Sequence, residues 1–180
     1  MPLSSASERQ LLHIRKIEAN GYSRPGGLYD LEAHLVDTKT HTKESPAGNR
    51  MAGEPIHDMW LRITVDETLT ITAAEAGFDA VPYVGHCEQI APDYGQLTGL
   101  RIAPGFSSQV RSLFGGTHGC THVTDIIGIL ATLAFQTIAN RRAREQQDVK
   151  QPFQLNRCHA LSTTGPVVAK YYPRWSIKAQ

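Results

Sequence analysis

The hydrophobic period of this sequence changes once, and that change limits the folds that the chain can adopt. Between residues 29 and 73 apolar and polar residues alternate along several segments, which predicts strands with one buried face. After Pro104-Gly105 the period lengthens to about 3.6 residues, which predicts two helices. No helix-length segment separates the successive predicted strands, so antiparallel pairing is favoured. We therefore predict an α+β fold in which an antiparallel sheet packs on a two-helix hairpin.

The individual elements follow from the same patterns and from turn residues. The predicted strands are, in chain order, residues 29–36, 61–65, 69–73, 81–90, 97–102 and one or two segments within 155–170. The second and third of these form a β-hairpin around an Asp66-Glu67 turn. The predicted helices are residues 106–114 and 121–144, and the apolar stripe of the second is wide enough to predict burial at the centre of the fold.

The length of the chain favours a single domain. With 180 residues, 41% of them hydrophobic, the chain can bury one core and is short for two. We predict one domain over residues 1–180, in which residues 1–11 form a polar, frayed tail. Residues 38–55, rich in Lys, Thr, Ser, Pro and Gly, are predicted as a long loop of the kind that often serves as a lid.

Charge and hydropathy exclude several classes of function. Eighteen basic residues against seventeen acidic ones give a net charge of +1, which disfavours nucleic acid as a partner. The longest apolar stretch, residues 126–135, is interrupted by Gly128 and Thr132, so no membrane span is predicted. The N-terminus lacks the basic start and apolar run of a signal peptide, and we expect a cytoplasmic protein. The sequence does not distinguish a monomer from a homo-oligomer.

The segment before the second helix, residues 115–122, carries most of the chemistry in the sequence: Gly-Gly-Thr-His-Gly-Cys-Thr-His. Its glycines allow close approach of the backbone to a ligand, and a helix start presents unpaired N–H groups with partial positive charge. Thr121 is a natural N-cap, and Cys120 beside it feels the same dipole, a setting that activates thiols. The segment therefore predicts an anion-binding site with a reactive cysteine.

Two imidazoles in this segment can transfer protons near neutral pH. His118 and His122 flank Cys120, and Asp125, one turn along the helix, would fix the tautomer of His122. A structural explanation stays open, because any tight connection between helices needs glycines and a cap. Two histidines and a cysteine within five residues exceed what capping requires, and this favours function.

Metal binding is disfavoured by the spacing of the Cys and His residues. His86-Cys87 and Cys158-His159 are direct neighbours, and neighbours on a strand point to opposite faces, so each pair offers one ligand to a shared centre. All three cysteines are expected to be reduced. We predict that the protein needs neither a metal nor an organic cofactor.

Further polar residues are candidates for binding a substrate. Arg62 shares a face of its predicted strand with Trp60, where a guanidinium would position an anionic or phenolic group. A solvated outer sheet face is the favoured explanation of the polar residues of the strands. The full set of predicted substrate-binding residues is Thr121, Arg62, Arg24, Asp30, Cys158 and His159.

Two segments together have the pattern of a family. Residues 22–27 with 29–32 form a Tyr-Arg-turn opening before a strand, and residues 116–122 form a Gly-x-x-Gly-Cys-Thr-His start to a long helix. With residues 61–66, 104–106 and 158–159, they resemble a proteobacterial family filed as a domain of unknown function, number 2889. At Pro25 this chain departs from the acidic residue expected there. The resemblance implies one compact domain and no assigned reaction, and it associates the chain with catabolism of aromatic compounds.

The leading hypothesis is a small catabolic enzyme, a lyase that works by acid–base catalysis on a small aromatic molecule of the lignin type. The sequence has no phosphate loop and no dinucleotide fingerprint. His122 would be the base, His118 the acid, and backbone N–H groups of residues 120–123 would hold negative charge. Loss of a one-carbon fragment or opening of an ether suits such a site.

Two alternatives remain. Cys120, activated by His118 or His122, would act as the nucleophile of a hydrolase or acyl transferase. In the other, the Cys and His pairs would belong to a non-enzymatic module that binds a metal or a ligand.

Overall fold

Four strands form one antiparallel sheet, ordered as in the chain. The computed structural model describes residues 3–145 and 151–177, with side chains in the long helix described to residue 139. The strands are β1 His13–Arg24, β2 Leu28–Lys39, β3 Pro55–Val65 and β4 Ile71–Ala80. The α-helices are α1 Phe106–Phe114, α2 Thr121–Glu145 and α3 Pro166–Tyr171, and short 3-10 helices occupy Pro25–Gly27, Cys87–Leu97, Gly116–His118, His159–Leu161 and Pro173–Trp175. The predicted α+β class, the β3–β4 hairpin and the first two helices are confirmed.

The chain groups into two compact units, Met1–Thr137 and Ile138–Gln180. The first unit contains the sheet, α1 and the first part of α2, and the second contains the end of α2 and α3. The prediction of a single domain over all 180 residues stays a prediction.

The sheet has an inner, buried face and an outer, polar face. The inner face of β2 and β3 is formed by odd-numbered residues, and six apolar ones at its centre are at most 1% exposed, namely Leu31, Ala33, Leu35, Met59, Leu61 and Ile63. Each such Leu or Ile contributes about 1.5–3 kcal/mol by leaving water. Beyond the register shift near Ile56, even-numbered residues of the same strands, among them Glu32 and Arg62, lie on the outer face. The predicted alternation along β2 is confirmed.

β1 is a strand that the sequence pattern did not predict. It pairs with β2 along its full length and is joined to it by the Pro25–Gly27 turn, in which Gly26 takes a positive φ of 79°. As an edge strand it is exposed along nearly its whole length, so it lacks the apolar alternation by which strands are recognised. Its inner face includes Arg15 and Gly21, in register with Asp37 and Leu31.

The first part of α2 lies against the inner face of the sheet. Its start contacts β2 and β3 near Asp37 and Met59, and at Thr137 it crosses β1, where a Cβ on Gly21 would overlap the Thr137 hydroxyl. One side of the helix is buried, whereas Gly128, Ile129 and other residues of the opposite side are exposed. The predicted burial of this helix at the centre of the fold therefore holds for one side of it only. By length and composition Thr121–Ala139 would suffice to span a membrane, a test that core helices also pass.

Three segments predicted as strands are not strands. Beyond β4 the chain turns at Pro82 and Gly85, and residues 87–97 form a 3-10 helix. Residues 97–102 retain a single bridge, between Thr70 and Arg101. Within 155–170 the chain forms turns, a 3-10 helix and the start of α3, where Pro166 suits the first helical turn because it has no N–H to donate.

The predicted 38–55 loop is shorter than expected. β2 continues to Lys39, β3 begins at Pro55, and the connection is tied by a two-bonded bridge between Lys43 and Arg50. Its role as a lid stays a prediction. Residues 3–11 of the predicted tail are exposed and belong to no helix or strand.

The close approach of α2 to β1 predicts a large effect of a side chain at position 21. Gly21→Val should lower the free energy of unfolding by about 1–3 kcal/mol, the usual cost of overpacking. Gly77→Val is the matched control, because a Cβ at Gly77 meets its nearest neighbour at 3.8 Å, an ordinary contact. Denaturant unfolding of both variants measures the difference, and equal stabilities would contradict this account of the helix–sheet contact.

Candidate functional site

A buried carboxylate, Asp37, lies at the centre of a polar cluster on the inner face of the sheet. Asp37 is 1% exposed and is the one charged side chain that is buried among the residues the structure describes. Arg15, its register partner on β1, donates from Nε to Oδ1 and from Nη2 to Oδ2, each at 2.8 Å. Such a two-bonded pair holds the carboxylate plane and supplies the opposite charge that burial requires.

Two histidines of the neighbouring strands complete the shell around this carboxylate. His57 Nδ1 of β3 lies 2.9 Å from Asp37 Oδ2, and His13 Nε2 of β1 lies 3.1 Å from Oδ1. Burial alone would raise the pKa of Asp37, but the hydrogen bonds from Arg15 and His57 outweigh it and hold the pKa well below its usual range. Asp37 is therefore ionised at any physiological pH.

The start of α2 brings the segment singled out in the sequence to this cluster. The His122 ring packs on the His57 ring with centroids 3.8 Å apart, and His122 Nε2 lies 3.7 Å from Asp37 Oδ2. Cys120 Sγ lies 3.8 Å from His122 Nδ1. The predicted partnership of Cys120 and His122 thus acquires a third member, His57, from the sheet.

Both central histidines favour the neutral form. Burial and the nearby His122 lower the pKa of His57, and burial and the nearby Arg15 lower the pKa of His122. Because Asp37 accepts a hydrogen bond from His57 Nδ1, the proton of the neutral ring sits there, and Nε2 carries the free lone pair. The arrangement is an oriented imidazole base supported by a buried carboxylate.

A tyrosine fixes the backbone at the start of α2. The Tyr94 hydroxyl is fully buried, accepts a hydrogen bond from Cys120 N at 2.9 Å and lies 3.0 Å from Cys120 O, to which it donates. The same carbonyl accepts the first helical hydrogen bond, from Thr124 N. Cys120 therefore occupies the N-cap position predicted for Thr121, whose side chain is exposed in the first residue of the helix.

The other predicted catalytic residue, His118, is exposed in the Gly116–His118 turn. Within residues 3–145 and 151–177, no hydrogen bond or ion pair joins its side chain to the Asp37 cluster. The backbone N–H groups predicted to hold negative charge are also partly engaged, since that of Cys120 is bonded to Tyr94.

Three of the predicted substrate-binding residues lie on the outer face, away from this cluster. Arg24 Nη1 pairs with Asp30 Oδ1 at 3.1 Å, and the guanidinium of Arg62 is held by Glu32 at 2.7 Å and Glu75 at 3.5 Å. Their charges are thus compensated by neighbouring strands, as expected for a solvated sheet face.

Cys158 and His159 belong to the second unit of the chain. The strand predicted for them is wrong, because they lie at the start of the His159–Leu161 turn, where both are exposed.

Four residues of this cluster were not predicted from the sequence: Asp37, Arg15, His57 and His13. One signal was present: Asp37 occupies the next inward position of the alternation formed by residues 29, 31, 33 and 35. A carboxylate at a buried position of a strand requires a hydrogen-bonded partner of opposite charge. Arg15 and His57 gave no such signal, since only the strand register brings them to Asp37.

Asp37, His57 and His122 also satisfy the spacing of a metal site. Each offers one ligand atom, and these atoms lie within 4.8 Å of one another. Two imidazoles and one carboxylate are a ligand set typical of zinc and non-haem iron. Arg15 already donates to both carboxylate oxygens of Asp37 and would compete with a bound cation. These residues are therefore suited to a hydrogen-bonded cluster at least as well as to a metal site.

The lowered pKa values of His57 and His122 predict a specific pH dependence of stability. When pH falls through about 6.5, the unfolded chain takes up these protons before the folded protein does, so stability should fall. We expect the melting temperature to decline between pH 7.5 and 5.5, and to decline less in the double variant His57→Gln/His122→Gln. The measurement is thermal unfolding of both proteins across this pH range in buffer with a chelator. Identical slopes of melting temperature against pH would contradict the role assigned to the two histidines.

Asp37 has a separate effect on stability at lower pH. Its stabilising contribution is lost only below about pH 4, where the carboxyl group of the unfolded chain takes up a proton.

The bonds of Tyr94 to Cys120 predict that this hydroxyl stabilises the helix start. Tyr94→Phe should keep the ring stacking on Phe114 but lower the free energy of unfolding by about 1 kcal/mol and accelerate hydrogen exchange at the Cys120 amide. Tyr83→Phe, at an exposed tyrosine, is the control and should change neither. Unchanged exchange at Cys120 in Tyr94→Phe would show that the hydroxyl does not hold this backbone.

Comparison with known proteins gives one result. A sequence model of the family described as "Protein of unknown function (DUF2889)" matches residues 13–136. The match covers more than half of the chain and includes all of the cluster around Asp37. No curated protein and no solved structure matches the chain.

Proposed function

The chain belongs to the DUF2889 family, and on that premise we propose that it is an enzyme, an acid–base lyase that acts on a small phenolic molecule without an organic cofactor. The observation that carries the proposal is the hydrogen bond from His57 Nδ1 to the buried, ionised Asp37. A carboxylate in this position orients the ring and stabilises the imidazolium that forms when the base takes a proton.

The roles differ from those that the sequence alone suggested. His57 is the base, because Asp37 fixes its tautomer, and His122, in ring contact with it, is the second proton carrier. Arg15 positions Asp37, and its third nitrogen, Nη1, is turned toward the exposed Asp125 at 3.9 Å. His118, the acid of the earlier scheme, has no place in this one.

A phenolic substrate matches the strength of the base. A neutral imidazole removes a proton from a phenol, with a pKa near 10, far more readily than from an unactivated carbon. The proton passes from the phenol to His57, the ring electrons break a benzylic carbon–oxygen bond, and the ether opens to a quinone methide. The proton then returns, through His57 or His122, to the oxygen that left. Charge and atoms balance without an oxidant or a reductant.

The same base would release a one-carbon fragment. His57 would take the hydroxyl proton of a hydroxymethyl group on the carbon next to the quinone methide, and the carbon–carbon bond would break so that formaldehyde leaves. The bonding electrons restore the ring as a phenolate, which takes the proton back from the His57 imidazolium. We propose that this chemistry belongs to a cytoplasmic enzyme of aromatic catabolism whose partner is its small-molecule substrate. The net charge of +1 disfavours nucleic acid as a partner.

A second candidate is a metal-dependent lyase, which the spacing of Asp37, His57 and His122 favours. A divalent ion there would be a Lewis acid for the same phenolic oxygen. The two candidates differ in their response to chelation. Only a metal-dependent lyase would lose its activity to a chelator, regain it on addition of the metal, and contain stoichiometric metal when purified without a tag.

Substitution of the two central histidines tests the proposal. His57→Gln and His122→Gln should each lower turnover about a hundred-fold or more, the scale of positioned acid–base catalysis, with little change in melting temperature. His34→Gln is the matched control, since His34 pairs with Asp58 on the outer face of the same sheet. Turnover is measured by ultraviolet absorbance and formaldehyde release on a panel of phenolic benzylic ethers, chelator present.

The same panel distinguishes the chemistries. Substrates whose phenol is methylated lack the proton that His57 takes and should not react. Equal turnover of the free phenols and their methylated counterparts would contradict the deprotonation of the phenol.

Cys120→Ser distinguishes a lyase from a thiol hydrolase, because a lyase should retain activity in this variant and a thiol hydrolase should lose it. Near-normal turnover in both His57→Gln and His122→Gln would show that the Asp37 cluster takes no part in the reaction.

A further inference from the structure

A second aromatic feature lies on the outer face of the sheet, in a row that crosses three strands. His34 of β2, Trp60 of β3 and Gly77 of β4 are register partners. Residues directly opposite on one face are close enough for their side chains to interact. The row therefore holds two rings and then a position that has no side chain.

The first two members of the row are stacked and held. The His34 and Trp60 rings lie 3.6 Å apart between centroids and 6° from parallel. His34 Nε2 is 2.5 Å from Asp58 Oδ1, and Trp60 Nε1 donates to Asp79 Oδ2 at 2.8 Å. Trp60 nevertheless remains 41% exposed, which is high for a tryptophan fixed at one face and one edge.

The exposed part of Trp60 borders a cavity of about 200 Å³. Its lining consists of Glu32, Trp60, Leu61, Arg62, Glu75, Gly77, Phe78 and Asp79. Because residues of β4 line it and His34 does not, the cavity lies on the side of the indole away from the imidazole. It occupies the place that a side chain at Gly77 would fill, and we name it the outer-face cavity.

The charges around the outer-face cavity are predominantly negative. Glu32, Glu75 and Asp79 contribute three carboxylates against one guanidinium, that of Arg62, which is already paired with Glu32 and Glu75. The face of an indole also attracts cations through its quadrupole. Both features favour a positively charged occupant, and the open indole face favours a flat one.

We propose that the outer-face cavity binds a small planar organic cation, an amidinium or guanidinium compound, stacked on Trp60 as the third layer of the His34–Trp60 row. The carboxylates of Glu75 and Asp79 supply the counter-charge. A volume of about 200 Å³ suits a molecule with one ring and not a polypeptide segment. The site is separate from the Asp37 cluster, since even-numbered and odd-numbered residues of β2 and β3 point to opposite faces of the sheet.

The experiment uses the full-length protein and two probes of one shape and opposite charge, benzamidinium and benzoate. The indole N–H signals in nitrogen–proton NMR report on Trp60, with the chain's other tryptophan, Trp175, as the internal reference, and Trp60→Phe assigns them. We expect benzamidinium to shift the Trp60 signal with a dissociation constant on the order of 1 mM or tighter, and benzoate to bind at least ten-fold more weakly.

Two variants separate this site from general surface binding. Gly77→Val fills the cavity from β4, where an added Cβ meets Trp60 at an ordinary 3.8 Å, and should weaken benzamidinium binding about ten-fold or more. Glu75→Gln, at a side chain that is 75% exposed and so dispensable for folding, should weaken it several-fold. An unshifted Trp60 signal, equal binding of benzoate, equal shifts at Trp175, or full affinity in both variants would each overturn the proposal.

Discussion

The pairing of Arg15 with the buried Asp37 is the interaction on which the arrangement of the sheet edge depends. An ionised carboxylate excluded from water costs several kcal/mol unless an opposite charge and hydrogen bonds compensate it. β1 buries little apolar surface, so its register on β2 depends on backbone pairing, the Pro25–Gly27 turn and this ion pair. A slip of one residue would turn Arg15 to the outer face and leave Asp37 buried without its counter-ion.

The same carboxylate links stability to chemistry. It accepts hydrogen bonds from two strands, and His57, one of the donors, packs against His122 at the start of α2. The helix can approach so closely because β1 has no side chain at Gly21, where α2 crosses it, and because Tyr94 holds the backbone of Cys120. Oriented imidazoles are thus a consequence of how the helix is seated on the sheet.

Elements with a strong period could be predicted from the sequence, and elements without one could not. β2, β3, α1 and α2 each bury one regular stripe, whereas the exposed β1 and the Gly- and Pro-interrupted segment after β4 do not. The site divides in the same way. Cys120 and His122 are adjacent in sequence and could be identified there, but Arg15, Asp37 and His57 are about twenty residues apart and meet only through the register of three strands.

The sheet carries a histidine–aspartate pair on each face, and burial decides what each pair can do. On the inner face the side chains of His57 and Asp37 are 15% and 1% exposed, so water neither screens the carboxylate nor solvates a protonated ring. On the outer face His34 and Asp58 are 28% and 21% exposed, and solvent weakens their electrostatic coupling. A base needs the first environment, because its protonation must be controlled by a fixed partner. The stacked outer pair serves instead as a rigid support for the Trp60 ring, which is what recognition by stacking requires.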